Sequence, residues 1–128
     1  VEILKEACVI LTLLSKDPVL LNQGIIDSGV GPRLVELLNH SSHLVQEASL
    51  KVLGNIASGE EHHVQVLLNA GLLSNLLSLL RQHSLKESIQ REVCWIVSNI
   101  AAGSPKQSQA TIDAGFIPLL INLLPNTP

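Results

Sequence analysis

Residues 91–103 read REVCWIVSNIAAG, and the last six, SNIAAG at 98–103, repeat GNIASG at 54–59, 44 residues earlier. A block returning at that interval signals stacked repeats rather than one closed domain. A second block carries the same period. Asp27-Ser28-Gly29, Asn69-Ala70-Gly71 and Asp113-Ala114-Gly115 recur 42 and then 44 residues apart. Each is followed by a leucine-rich run, at 30–38, 72–80 and 116–124. Cys8 and Cys94 hold matching positions two periods apart, which reads both thiols as small core fillers.

Each period holds three helices. A short first helix is expected at 18–28, 62–70 and 105–114, with Pro18 and Pro105 in the first turn, where a missing N–H costs little. The glycine of each triplet ends that helix at positive φ. Second helices are expected at 30–38, 72–82 and 116–124. The third and longest fall at 2–15, 44–57 and 86–101, the latter two stopped by Gly59 and Gly103. The organisation is therefore a third helix of a partial repeat (1–17), two repeats (18–59 and 60–103) and the first two helices of another (104–128). Units of this size cannot bury their apolar faces alone, so they stack. The expected fold is an all-α, right-handed superhelix, an α-solenoid that is a fragment of a longer array. Leu11, Leu13 and Leu14 at one end, and Leu119, Leu120, Leu123 and Leu124 at the other, lack neighbours, and self-association through these ends is expected.

The 128 residues are 46% hydrophobic yet 2% aromatic, so the core is built from Leu, Ile, Val and Ala. A net charge of −3 argues against direct nucleic-acid binding. No apolar run reaches bilayer length. The leucine-rich helices lack the Lys/Arg belt of a membrane-surface helix. Two cysteines are too few for a disulfide framework. His40 and His43 fall in an expected loop, while His62 and His63 are adjacent and expected to point apart. With His83 they read as solvated, and no metal site is expected. No nucleophile elbow or phosphate loop is present, so neither enzyme activity nor a cofactor is expected.

The third helix at 86–101 has two faces. Val93, Ile96, Val97 and Ile100 form an apolar back. Glu92, Trp95 and Asn99, spaced by three and four, form a front. A carboxylate, an indole and an amide in one row suit an extended basic peptide. The carboxylate attracts a Lys or Arg, the indole packs its stem, and the amide bonds the peptide backbone. One period earlier, Asn55 holds the position of Asn99 and Lys51 that of Trp95. Ser58 and Glu61 are expected as a polar rim, and Glu6 as an acidic residue on the first helix.

These stretches resemble the armadillo repeat. Residues 88–103, with their Trp-x-x-x-Asn spacing, and 50–59 are similar to late repeats of importin-α, around its minor cargo site, as are 33–38 and 112–118. The resemblance implies nuclear import between cytoplasm and nucleus. A basic linear peptide or cargo protein would lie in the concave groove of third helices. Importin-β would be met through a basic tail not among these residues. Trp95 and Asn99 would form one full rung of the binding ladder, and Asn55 half of another. The sequence departs from that pattern where Val9 and Leu13 make an apolar rung, and where Val64 replaces a frequent hydroxyl. Two readings follow: a peptide-binding adaptor, or an armadillo scaffold that has lost cargo recognition and binds another protein.

Overall fold

The computed structural model describes residues 1–16, 21–82 and 85–124, and among them every regular element is a helix. In chain order these are α1 (Glu2–Leu14), α2 (Leu21–Asp27), α3 (Gly31–Glu36), α4 (His43–Ala57), α5 (Glu61–Asn69), α6 (Leu72–Leu80), α7 (Glu87–Ala101), α8 (Pro105–Asp113) and α9 (Phe116–Leu123). The architecture is the expected all-α solenoid. The expected helix start at Pro18, like His83, lies outside the described residues.

Three glycines time the repeats. Gly29, Gly71 and Gly115 have φ of 81°, 90° and 95°, and they are the described residues at positive φ. The N–H of each turns back onto a carbonyl three residues earlier, on Ile26, Leu68 and Ile112, at 3.0–3.1 Å. A side chain would strain this left-handed turn, which is why glycine recurs there. Gly59 and Gly103 stop the long helices without a positive φ. At α8 the start is fixed by side-chain chemistry: Ser104 Oγ accepts the Gln107 N–H and Pro105 occupies the first turn. The first leucine-rich run ends differently from expectation. Leu37–Asn39 tighten into a 3-10 turn after α3, which brings the consecutive Leu37 and Leu38 both into the core.

The three long helices stack in a row, α1 on α4 and α4 on α7, while α2 packs on α5 and α3 on α6. The expected dry back of α7 is observed, with Val93, Ile96, Val97 and Ile100 all buried. Cys8 is buried, but Cys94 is only half-buried, a correction to the symmetric core-filler reading. Its wall faces a groove of about 430 Å³ among α7, α8 and α9, lined by Val97, Ile112, Phe116, Ile117 and Leu120. One repeat earlier the matching positions, among them Leu53, Leu72 and Leu76, are closed over by α7.

Polar bonds tie one repeat to the next. Gln107 Nε2 donates to the Glu61 carbonyl at 3.1 Å and to Gln65 Oε1 at 3.3 Å, joining α8 to α5. Between α2 and α5 the tie uses two histidines, and here the sequence reading is corrected: His62 and His63 do not point apart. Their ring centroids are 4.1 Å apart, and both Nε2 atoms reach Gln23 Oε1, at 2.7 and 2.8 Å. Gln23 Nε2 donates to Asp27 Oδ1 at 2.7 Å, which fixes Oε1 as the acceptor and places hydrogen on both Nε2 atoms. An acceptor on the neighbouring repeat thus draws together two rings that helix geometry alone would separate. His43, expected in a loop, is instead the first residue of α4.

His63 is fully buried and its Nδ1 has no partner among the described residues. Burial lowers its pKa, the nearby His62 adds to this, and Glu60 and Asp27 oppose it more weakly. A histidine whose folded pKa is depressed stabilises the fold fully above its unfolded pKa of about 6.5 and loses that contribution as pH falls below it. The thermal midpoint should therefore drop as pH is lowered from neutrality through the range below about 6.5. His63→Gln should flatten that drop in a thermal melt. An equally steep acid loss in the variant would contradict the assignment.

Candidate functional site

The front of α7 meets α4 across an open groove of about 480 Å³, lined by Thr12, Lys16, Lys51, Asn55, Arg91, Glu92 and Trp95. Its floor is set by a glycine in the middle of a helix. A Cβ at Gly54 would run into Trp95 Cζ3, closer than real Cβ contacts come, and would stand 3.0 Å from Cε3. The indole therefore lies against bare α4 backbone. It still keeps 44% of its surface exposed, enough to offer the ring to a ligand. Glycine in a helix interior costs about 0.5–1 kcal/mol relative to alanine, so its presence here answers to the close approach.

Asn55 is half-buried at the inner edge. Its Nδ2 donates to Ser15 Oγ at 3.0 Å and to the Thr12 carbonyl at 3.3 Å, so it ties α4 to the end of α1. That leaves Oδ1 as the amide atom with which Asn55 could meet a ligand. Lys51 is exposed one turn before Asn55, and Glu92 is half-buried one turn before Trp95. These four expected residues are brought together.

Three others are placed elsewhere. Asn99 is half-buried, and its Nδ2 is enclosed with no partner among the described residues. The cause is in the repeat: the position of Ser15, whose hydroxyl serves Asn55, is taken one period later by Ala57, which has none. Ser58 is exposed and its Oγ donates to the Asn55 carbonyl at 2.8 Å, so it caps α4 and does not line the groove. Glu61 lies on α5, beside a separate polar depression with His62, Gln65, Asn69 and Lys106. Val64 is buried in the core. The apolar rung is where the repeat puts it: Val9 and Leu13 are exposed and line a smaller groove with Lys5, Leu44, Glu47 and Lys51. Glu60, His62 and His63 can each offer a ligand atom within 4.8 Å of the others, but both imidazole Nε2 atoms are already bonded to Gln23. The sequence reading missed Gly54, buried beneath the indole, and Lys16 and Arg91, which line the groove. A glycine inside a long amphipathic helix, in register with the tryptophan helix, was the available signal for the first.

Gly54→Ala should separate packing from site geometry. Alanine gains roughly 1 kcal/mol of helix propensity, and overpacking costs about 1–3 kcal/mol unless the ring swings away. The expected result is a small change in thermal midpoint together with a red shift in Trp95 emission, as the indole is levered into solvent. Unchanged emission would contradict the contact.

A family model for the armadillo/beta-catenin-like repeat matches residues 25–58 and 60–102. The chain is 46% identical over 97 residues to rice (Oryza sativa subsp. japonica) importin subunit alpha-1a, covering 76% of this chain and 18% of the relative. It is 43% identical over 94 residues to importin subunit alpha-3 of Arabidopsis thaliana, covering 73% and 18%. It thus spans less than a fifth of these relatives. Among solved structures it superposes on a designed armadillo repeat protein in complex with the peptide (KR)4, with TM-score 0.91, 33% identity, and coverage of 99% of this chain and 52% of that one. A computationally designed armadillo repeat protein for modular peptide recognition gives TM-score 0.88 at 32% identity, covering 96% and 51%. With the family model covering more than half its residues, the chain belongs to the armadillo/beta-catenin-like repeat family.

Proposed function

We propose that this protein-binding repeat module is an adaptor that holds an extended, basic, nuclear-localisation-type segment of another protein in the groove between α4 and α7, in service of nuclear import between cytoplasm and nucleus. The observation that carries the reading is the exposed indole of Trp95 laid over Gly54, with Glu92 and Asn55 beside it. A Lys or Arg stem would lie on the indole with its cation toward Glu92. Asn55 would accept a peptide N–H through Oδ1. Asn99 would supply the next backbone contact if its enclosed amide turns outward. Stacked helices lie about 8–10 Å apart, and two extended residues span roughly 7 Å, so the two asparagines suit alternate peptide units. The (KR)4 complex of the designed armadillo protein and the importin subunit alpha relatives support this choice. Any contact with importin-β would be made through regions outside these residues.

One indole and one carboxylate supply little binding once ordering costs are met, so affinity should be micromolar at best. Titration of a single-lysine peptide should give saturable, salt-sensitive binding that Trp95→Ala weakens at least about tenfold, the loss expected for one good contact. Retention of full affinity in that variant would hand the function to the alternative reading, a scaffold that has lost cargo recognition. The exposed apolar rung of Val9 and Leu13 favours that alternative.

A second reading concerns the ends. Ile3 and Ile10 of α1 are 86% and 59% exposed, whereas Ile89 and Ile96, at the same positions of α7, are wholly buried. The α7–α9 groove therefore fits the outer face of α1 from a second copy, a head-to-tail contact. Sedimentation at rising concentration should show association that Ile10→Asp removes. A strictly monomeric profile for the unaltered chain would contradict it.

A further inference from the structure

We propose that the basic segment recognised by this groove carries an acidic or phosphorylated residue beside the cation seated on Trp95. This rests on the peptide-binding reading above and adds the chemistry of the neighbouring position. The chain carries 8 Lys and Arg against 11 Asp and Glu, so an evenly spread surface would be mildly acidic everywhere. The groove reverses that sign: Lys16, Lys51 and Arg91 line it, against Glu92 alone.

The three cations come from three places in the stack. Lys16 stands on the turn after α1, Lys51 in the middle of α4, and Arg91 one turn before Trp95 on α7. All three are exposed, and none takes part in an ion pair among the described residues, where the pairs are Arg33 with Glu36 and His62 with Glu60. Glu47, the nearest further carboxylate along α4, already accepts the Ser88 hydroxyl and lines the neighbouring groove. A space of about 480 Å³ is roughly 8 Å across, about one Debye length at physiological salt, so these charges act on any occupant together.

A peptide with several adjacent cations would satisfy Glu92 once and then meet two or three uncompensated positive charges. One cation on Trp95 followed by an anion toward Lys16, Lys51 and Arg91 satisfies both sides of the groove. The guanidinium fork of Arg91 can donate to a carboxylate or a phosphate in the same geometry. A phosphate offers more charge and a third oxygen.

Trp95 is the sole tryptophan, so its emission reads occupancy directly. Four peptides of one alanine-rich backbone make the test: one lysine alone, lysine with aspartate two residues away, lysine with phosphoserine there, and lysine throughout. The aspartate peptide should bind about tenfold tighter than lysine alone, the phosphoserine peptide tighter again, and the all-lysine peptide weakest. Lys51→Glu, at an exposed position, should reverse the order. Trp95-dependent binding in which the lysine-only or all-lysine peptide equals or beats the aspartate peptide would overturn this inference and leave the adaptor reading standing. No emission change with any peptide would overturn both. A single-stranded oligonucleotide displacing the phosphoserine peptide at lower concentration would overturn the choice of a peptide as the anion's carrier.

Discussion

Everything in this molecule follows from the fact that no long helix can bury its own apolar face. α4 is sealed because α1 lies on one side and α7 on the other. The same sequence positions are dry or wet according to whether a neighbour is present. Ile56 and Ile100 are fully buried, while Leu14, their counterpart on α1, is exposed. Stability in such a stack is a sum over neighbouring interfaces rather than a property of one core. The polar ties, Gln23 to the two histidines and Gln107 to α5, fix the register between units that apolar packing alone would allow to slide.

Stacking also makes the site. Consecutive long helices present the same face at the same height, so a groove forms wherever the front residues differ in size. Between α4 and α7 the indole of Trp95 lies across Gly54, one turn's width from its counterpart Lys51, where α4 has no side chain to displace it. The result is an aromatic platform seated on bare backbone, held by packing rather than by hydrogen bonds. The charges above it come from positions that the apolar pattern leaves free to vary. Groove chemistry can therefore change from repeat to repeat without cost to the fold, as the Val9–Leu13, Lys51–Asn55 and Trp95–Asn99 positions illustrate.

The fold was largely legible in the sequence because it is written three times. Glycines 42 and 44 residues apart marked the turns, and their positive φ values are observed where the triplets put them. The dry back of α7 was equally plain from spacing. What was not legible lies in contacts between repeats, which no local pattern reports. The convergence of His62 and His63 depends on an acceptor in α2, and the enclosed amide of Asn99 on a hydroxyl missing from Ala57. Glu61 is not at the groove rim where it is expected, because the turn at Gly59 carries it to α5 and a different surface. Lys16 enters the groove from the end of a helix two units away from Trp95, and sequence spacing gave no reason to join them.

The measurement that tests the account most directly is a two-dimensional amide NMR titration of the labelled chain with a single-lysine peptide, following side-chain as well as backbone signals. The account predicts that the Trp95 indole N–H and the Asn55 side-chain amide move first, with backbone shifts confined to the facing surfaces of α4 and α7 and the end of α1. Shifts centred instead on the α7–α9 groove, or on the α5 surface around Glu61 and Lys106, with Trp95 and Asn55 unmoved, would contradict it.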